Sequence, residues 1–337
     1  MRISLPALLL GLGLATSALA QDKPEVSTVR LAVGGQAALY YLPLAVTQGL
    51  GLFRQQGVEV NISDFAGGSR ALQALIGGSA DVVAGAFDHT IQMQAKNQAV
   101  VAVVELGQFP GFVLALLNSK ASSYHGPADL KGMRIGVTAP GSSTHFMALQ
   151  LMTKAGLKAD DASFVGVGAT TTAVAAVKRG EIDAIVNSDP AVALLQRDGL
   201  IKIIADTRTR DGTRDIYGGI YPAAVIYTTP AFMEKNPRTV QALVNAFVRG
   251  LAWMQTHTPE EIAAVVPEDY ALGDKPLYTQ AIKNSLPMYS PDGRFTSEGA
   301  DTALRVLKAF DPDVRSATID LERTYTDRFV NRARAAN

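Results

Sequence analysis

The sequence predicts an α/β protein built from two similar lobes. A segment with the same order of motifs occurs twice, at residues 29–88 and 133–189. Each copy alternates short apolar strands with helices, and glycine-rich turns separate them. Because a strand, helix, strand order with short loops gives parallel strands joined by right-handed crossovers, each copy predicts one α/β lobe with a parallel sheet.

The elements follow one another in the same order in both copies. Each begins with an alternating strand, whose apolar positions are Val29, Leu31, Val33 and Met133, Ile135, Val137. A helix that stops at glycine, a second strand, a further helix and a third strand follow. Gly67 in the first copy corresponds to Gly168 in the second, and Asp81 corresponds to Asp183, at nearly the same spacing. This spacing favours a true structural repeat.

Two more apolar segments, at residues 112–117 and 221–227, are interpreted as crossings between the lobes. Two crossings form a hinge. A helix after Pro237 is expected to pack on the first lobe with the C-terminal helices. Its apolar face consists of Val240, Leu243, Val244, Phe247, Leu251 and Met254. The predicted boundaries are residues 21–110 and 227–337 for the first lobe and residues 111–226 for the second, with the ligand cleft between them.

The first 20 residues have the layout of a secretory signal peptide. Arg2 precedes an apolar run from Leu5 to Leu14, and small residues lead to a cleavage site after Ala20. The apolar run is shorter than the roughly 20 residues that span a bilayer. We therefore expect an exported, soluble protein of the bacterial periplasm.

Composition excludes several kinds of site. The chain has no cysteine, which excludes disulfides, thiolate metal sites and cysteine nucleophiles. Its charge is balanced, with 31 Lys and Arg against 31 Asp and Glu, so it has no broad basic field for nucleic acid. His89, His125, His145 and His257 show no short metal-ligand spacing. We predict no metal, no cofactor and no nucleic-acid partner.

The candidate ligand site lies at the carboxyl ends of the predicted strands, where loops from both lobes converge. These loops are rich in Gly, Ser, Thr and Asn, which expose backbone N–H groups and hydroxyls. The candidate ligand-binding residues are Gly35, Gln36, Tyr40, Gly68, Ser69, Phe87, Asp88, Ser142, Ser143, Thr144, Asn187 and Asp189.

Residues 138–146, TAPGSSTHF, allow two interpretations. A serine nucleophile would need the G-x-S-x-G turn and an orienting acid, and the second glycine is missing here. The alternative is a helix starting near Ser142 or Ser143, whose free N–H groups and hydroxyls hold an anion. A plain helix cap is the third possibility. The position in the predicted cleft favours the anion cradle, and we expect no catalysis.

Several other side chains keep two interpretations. Asp88 and Asp189 each follow a strand and precede a helix, so each either caps that helix or holds a ligand amine. Arg70 and His145 are candidate partners for a ligand charge, although Arg70 is also compatible with a solvated helix position. Phe87 and Tyr40, with Tyr41, are candidates for an aromatic wall, or belong to the core.

The order of motifs resembles the substrate-binding proteins of bacterial ABC importers of the nitrate, sulfonate and taurine type, including the NMT1/THI5-like proteins. The resemblance rests on Gly34-Gly35, on GLFRQQGVEV at 51–60, and on FAGGSRALQALIGGSADVV at 65–83. It continues with DLKGMRIGV at 129–137, the Gly141-Ser142-Ser143 turn behind it, and Asp189-Pro190.

The resemblance implies a periplasmic-binding-protein fold of type II, a Venus flytrap whose two lobes close on a small ligand. It implies that the protein then docks on an ABC permease, which works with an ATPase. We expect a monomer and a small anionic organic solute, such as a sulfonate, taurine-like molecule or carboxylate. An enzyme of the thiamine pathway, a pyrimidine synthase with this fold, is the alternative. A binding protein that reports to a membrane sensor is a second alternative.

Overall fold

The structure is a computed structural model that describes residues 23–335. The predicted signal peptide and its cleavage site after Ala20 lie outside the described residues. In the described part of the chain, no helix is both long enough and apolar enough to cross a bilayer.

The described chain alternates strands and helices. In chain order the strands are β1 (Thr28–Gly34), β2 (Glu59–Phe65), β3 (Val82–Ala86), β4 (Val101–Glu105), β5 (Val113–Leu117), β6 (Arg134–Val137), β7 (Ser163–Gly166), β8 (Ala184–Asn187), β9 (Ile201–Asp206) and β10 (Ala224–Thr228). The α-helices that alternate with these strands are α1 (Leu42–Gly49), α2 (Leu52–Gln55), α3 (Gly68–Ile76), α4 (Asp88–Ala95), α5 (Asn118–Ala121), α6 (Ser143–Lys154), α7 (Thr171–Lys178), α8 (Ala191–Arg197) and α9 (Arg210–Tyr217). The C-terminal helices are α10 (Pro230–Lys235), α11 (Pro237–Met254), α12 (Pro259–Ala264), α13 (Lys275–Ser285), α14 (Ser297–Phe310), α15 (Pro312–Ser316) and α16 (Arg328–Ala335).

Two five-stranded sheets form the two lobes, in the orders β2-β1-β3-β10-β4 and β7-β6-β8-β5-β9. The predicted two-lobed α/β fold is confirmed, and the first three strands of each copy pair in parallel as expected. Each sheet is nevertheless mixed rather than purely parallel. The strand β10 runs antiparallel to β3 and β4, and β5 runs antiparallel to β8 and β9.

The repeat is visible in matching ion pairs at the start of each sheet. Arg30 in β1 donates through Nη2 to Asp81 Oδ1 at 2.6 Å, and Arg134 in β6 donates to Asp183 Oδ1 at 3.1 Å. In both copies the arginine backbone N–H also donates to the same carboxylate, at 2.9 Å. The aspartates that reveal the repeat in the sequence therefore tie the first strand of each lobe to the segment that leads into the third strand.

The crossings between the lobes differ in position from the prediction. The segments at 112–117 and 221–227 largely form β5 and β10, each of which pairs on both sides within its own sheet. A strand that is hydrogen-bonded along both edges cannot act as a hinge. The chain instead passes between the sheets just before these strands, at residues 106–112 and 218–223.

The lobes approach each other through small residues at the carboxyl ends of their strands. A Cβ atom added at Gly67 would lie 2.9 Å from the Cβ of Ala139, and one at Gly35 would lie 2.4 Å from the Cβ of Ala169. Gly35 also has a φ of +94°, which favours glycine. These contacts bring the two backbones close enough to enclose a site between the lobes.

Of the C-terminal helices, α11 and α16 pack on the first lobe, as predicted. In contrast to the prediction, α14 contacts α4 of the first lobe and also α6 of the second, and α13 contacts α8 of the second lobe. The apolar face predicted for α11 is buried and lies against α1, α2 and β4. The helix α16 covers another part of α11 and also contacts β4. The helices α11 and α16 therefore support the first sheet.

Candidate ligand-binding site

A cavity lies between the lobes at the carboxyl ends of the strands, where the sequence predicts the site. Its wall contains residues of both repeats: Gly34, Ala38, Tyr40, Tyr41, Gly68, Ala86, His89, Phe112, Thr138, Ser142, Ser143, Thr144, Ala169 and Ser188. Its volume is about 20 Å³, close to what one buried water molecule needs. The lobes are thus closed on the cavity, and a larger solute enters only if they separate.

The start of α6 supplies the most concentrated set of polar groups. The strand β6 ends at Val137, Gly141 turns the chain with a φ of +84°, and the helix begins at Ser143 with Ser142 as the N-cap. The backbone N–H groups of Ser143 and Thr144 have no acceptor within residues 23–335. Free N–H groups at a helix start carry partial positive charge, so this corner can hold an anion.

The hydroxyls around the same turn are held in fixed positions. Thr144 Oγ1 accepts from the Thr138 N–H at 3.1 Å and lies 2.9 Å from Thr138 Oγ1. Ser142 makes no cap to its own helix and instead reaches the other lobe. Its Oγ accepts from the Ser69 N–H at 3.0 Å, while Ser69 Oγ donates to the Pro140 carbonyl at 2.9 Å. These bonds exist only when the lobes are closed.

Asp88 lies directly behind this hydroxyl wall. Its carboxylate accepts from Ser143 Oγ at 2.8 and 2.7 Å and from the Tyr221 hydroxyl at 3.1 Å. The side chain is buried, with 1% exposure. Burial raises the pKa of Asp88, and the neighbouring His89 and the hydrogen bonds from Ser143 and Tyr221 only partly oppose this. Asp88 therefore belongs to the wall and touches the cavity through Ser143.

Aromatic side chains form the opposite wall. The Tyr40 ring stacks on Phe112 with centroids 4.8 Å apart, and Tyr41 meets Tyr40 edge-on. Both tyrosines are at most 4% exposed, and burial raises the pKa of each well above its ordinary value. Their hydroxyls have no hydrogen-bond partner in the described chain. They are thus neutral groups that can donate to a solute or accept from it.

The predicted site residues divide into two groups. Tyr40, Gly68, Ser142, Ser143 and Thr144 line the cavity. The others lie beside it or support it, and they are Gly35, Gln36, Ser69, Phe87, Asp88, Asn187 and Asp189.

The supporting residues have identifiable structural partners. The N–H groups of Gly35 and Gln36 both donate to Asp64 Oδ1, at 2.8 and 2.9 Å. Phe87 is fully buried against the rings of Phe295 and Tyr325.

Asn187 and Asp189 hold the loop that carries Ser188. Asn187 Nδ2 donates to the Gly168 carbonyl at 3.0 Å. Asp189 Oδ1 accepts from the Ala193 N–H at 2.9 Å, and its Oδ2 accepts from Arg208 at 3.3 Å. The Asp189-Pro190 peptide bond is cis. Asp189 therefore stabilises the start of α8, while Ser188 reaches the cavity.

Neither candidate for a cationic partner reaches the cavity. Arg70 is exposed and donates to Gln73 Oε1 at 3.1 Å. His145 Nδ1 accepts from the Gly141 N–H at 3.1 Å, and burial lowers its pKa to about 4. The imidazole is therefore neutral at neutral pH. Of the described residues, no Lys or Arg lines the cavity.

The geometry also bears on the serine-nucleophile interpretation. Ser143 Oγ donates to Asp88, and Ser142 Oγ bonds to Ser69, so neither hydroxyl is hydrogen-bonded to the His145 imidazole, whose Nδ1 accepts from the Gly141 N–H. His89, the histidine in the cavity wall, has its Nε2 3.3 Å from the Gly141 carbonyl and its Nδ1 3.3 Å from the Tyr227 hydroxyl. No cluster of His, Asp and Glu within residues 23–335 has metal-ligand geometry.

The cavity wall also contains His89, Phe112, Thr138 and Ser188, which are not among the residues predicted from the sequence. Three of them adjoin a selected or quoted position: His89 follows Asp88, Thr138 opens the TAPGSSTHF stretch, and Ser188 stands between Asn187 and Asp189. The sequence thus indicated these loops. It did not indicate which side chain of each loop faces the cavity.

Solved structures with this fold include proteins that bind small anions. A structure from Bordetella bronchiseptica RB50 is 48% identical, covers 93% of this chain and 99% of its own, and superposes with a TM-score of 0.91. The alkanesulfonate-binding protein SsuA from Xanthomonas axonopodis pv. citri, bound to MOPS, is 18% identical. It covers 92% of this chain and 98% of its own, with a TM-score of 0.66. At that identity the likeness shows the fold alone.

Sequence relatives carry two kinds of name. The 4-amino-5-hydroxymethyl-2-methylpyrimidine phosphate synthase of Legionella pneumophila is 23% identical over 90% of this chain and 92% of its own length. The taurine-binding periplasmic protein of Escherichia coli K12 is 28% identical over 61% of each. The profile of the family described as NMT1/THI5 like matches residues 38–262, about two thirds of the chain. The predicted resemblance is thus confirmed, and the chain belongs to the NMT1/THI5-like family.

Proposed function

We propose that this protein is the periplasmic solute-binding component of an ABC importer, which captures a small anionic organic solute and delivers it to a membrane permease. The observation that carries the proposal is the position of the cavity, enclosed between two lobes and lined by both repeats. A solute that touches both lobes binds the closed form more tightly than the open form. Solute binding thereby favours the closed shape, which a permease can recognise.

The proposed solute class follows from the polar groups at α6. Two free N–H groups and the hydroxyls of Thr138, Ser188 and Tyr40 converge on one small space. Helix N-termini of this kind bind sulfonate and carboxylate oxygens without a cationic side chain. The names of the taurine-binding relative and the alkanesulfonate-binding structure agree with this class.

A thermal-shift screen of the chain from Gln21 onward tests the proposal. The panel contains ethanesulfonate, taurine, benzoate and an aminopyrimidine, with ethanesulfonamide as the uncharged match to ethanesulfonate. A true solute at about 1,000 times its dissociation constant adds roughly 4 kcal/mol, which raises the midpoint by several degrees. We expect the anions to shift the midpoint and the sulfonamide to leave it unchanged. Equal shifts by both would contradict the anionic class.

The pyrimidine synthase relative supports a second candidate function, an enzyme of that type. It matches nearly the whole chain in length. In the same screen a shift by the aminopyrimidine alone, together with formation of an aminopyrimidine phosphate by the protein, would favour the enzyme. A sensor role predicts solute binding without a permease partner, and co-purification with a permease complex distinguishes the two. Light scattering tests the expected monomer.

A further inference from the structure

A buried carboxyl group that has no cationic partner in the described chain lies directly behind the cavity wall. Asp88 is 1% exposed, and the hydrogen bonds that it accepts come from neutral groups, the hydroxyls of Ser143 and Tyr221 and the backbone N–H of His89. A buried carboxylate without a cation is costly, and such a group tends to bind a proton instead. The state of this proton determines how much negative charge lies beside the candidate solute.

The groups that face Asp88 are almost all neutral. On its own helix His89 is fully buried, and burial lowers the pKa of that imidazole. The phenols of Tyr40, Tyr41, Tyr217, Tyr221 and Tyr227 surround the carboxyl from the other elements. Two charged residues lie farther along: Lys96 directly follows α4, and Asp311, which precedes α15, accepts a hydrogen bond from Gln92 of α4 at 3.0 Å.

Ser143 connects the proton on Asp88 to the cavity. A serine hydroxyl has one proton to donate. While Asp88 is ionised, that proton is directed at the carboxylate, at 2.7 to 2.8 Å. Once Asp88 is protonated, its own O–H can donate to Ser143 Oγ, and the serine proton is free to turn to a solute oxygen. Protonation thus removes a negative charge and supplies a hydrogen-bond donor.

We propose that Asp88 sets the charge that the cleft accepts, so that an anionic solute binds together with one proton taken from solvent onto the Asp88 carboxyl. This inference rests on the proposed function and adds a residue that determines solute charge. An ionised Asp88 and an anionic solute would repel each other strongly, because no cationic side chain of the described chain lines the site. The proton, bound to a carboxylate oxygen, removes that repulsion.

Calorimetry with ethanesulfonate tests the inference, because this probe keeps its negative charge throughout the range. Titrations run between about pH 5 and about pH 8, in pairs of buffers with different heats of ionisation. We expect uptake of about one proton per bound anion where Asp88 is ionised in the free protein. There the affinity should fall up to tenfold for each pH unit of increase.

Asp88→Asn provides the matched variant, since an amide keeps the hydrogen bonds but cannot take up a proton. We expect it to bind ethanesulfonate with an affinity that does not depend on pH. Asp301→Asn makes the same chemical change at an exposed position of α14, and it should keep the pH dependence of the wild type.

The outcomes separate the inference from the proposed function. Binding to the wild type with neither pH dependence nor proton uptake would overturn the inference and leave the solute-binding function intact. Failure of ethanesulfonate to bind either protein at any pH would overturn the anionic class and the inference together. If Asp88→Asn does not fold, as judged by circular dichroism, the proton count on the wild type still decides.

Discussion

Ser143 combines two roles in one residue, because it begins α6 and bonds to a carboxyl of the other lobe. Its Oγ contacts both oxygens of Asp88, and its backbone N–H is free at the cavity. A residue in this position can couple solute binding to closure of the lobes. A substitution that removes only the Ser143 hydroxyl therefore tests both roles while the helix is kept.

Ser143→Ala should weaken binding of the screened anion by about tenfold, since a hydrogen bond to a charged group contributes about 1.5 kcal/mol. The loss combines a donor to the solute with the contact to Asp88. Calorimetry measures the affinity, and thermal unfolding measures stability. Ser123→Ala, at an exposed serine that donates to the Lys120 carbonyl, is the control. An unchanged affinity and an unchanged midpoint would leave Ser143 with neither role.

At single residues, the sequence predicted that the hydroxyls at the start of α6 lie at the cavity, but it left the position of Phe87 open. Ser142, Ser143 and Thr144 were predictable because a Pro-Gly turn after a strand fixes where the helix begins. The position of Phe87 was harder to predict, because an aromatic residue at a strand end has the same sequence pattern whether it packs in the core or lines a cleft. The contact between Ser143 and Asp88 joins different repeats, and no local pattern indicates such a pair.

In each lobe an ion pair between an arginine and an aspartate connects the first strand to the segment before the third strand. In the second lobe the hydrogen bond from the Arg134 side chain lowers the pKa of Asp183 to about 2, and burial opposes this only in part. The folded protein thus favours the ionised form of Asp183 more than the unfolded chain does. The group contributes stability above its unfolded pKa of 3.8, and that stability is lost as the pH falls toward 2.

Asp183→Asn should therefore reduce the free energy of unfolding by about 1 to 2 kcal/mol near neutral pH, because the Asp183 side chain is only 12% exposed. The difference from the wild type should shrink on acidification below pH 3.8. Denaturant titration at several pH values measures both effects. Glu181→Gln is the control: its pair with Arg179 is exposed on both sides, and such pairs contribute little. Equal losses in the two variants would contradict this role for Asp183.

At the scale of helices and strands, the strands of the repeat could be predicted from the sequence. The antiparallel direction of β5 and β10 relative to their neighbours could not. Alternating apolar residues and glycine stops define β1 and β6 locally. The segments at 112–117 and 221–227 also read as strands, but each enters a sheet only after the chain has crossed from the other lobe. Their antiparallel pairing depends on where that crossing arrives, which is a property of the whole chain.

At the scale of the whole molecule, the two lobes of the closed form also contact each other at some distance from the cavity. Arg197 at the end of α8 forms an ion pair with Asp274, which precedes α13. The helix α8 belongs to the second lobe, whereas α13 follows the helices that pack on the first. Because this pair spans the interface, it stabilises the closed form over an open form in which the lobes separate.

Arg197→Gln should accordingly weaken solute binding by about two- to fivefold at low salt, in line with the 0.2 to 1 kcal/mol of an exposed ion pair. The effect should disappear at about 1 M salt, where such pairs are screened. Calorimetry gives the affinities, and small-angle scattering with and without the solute follows closure. Arg179→Gln removes an arginine whose partner Glu181 lies in the same lobe, so it should leave the affinity unchanged. If Arg197→Gln binds as tightly as the wild type at low salt, lobe closure does not depend on this pair, and the energy that closes the cleft must come from the cavity wall itself.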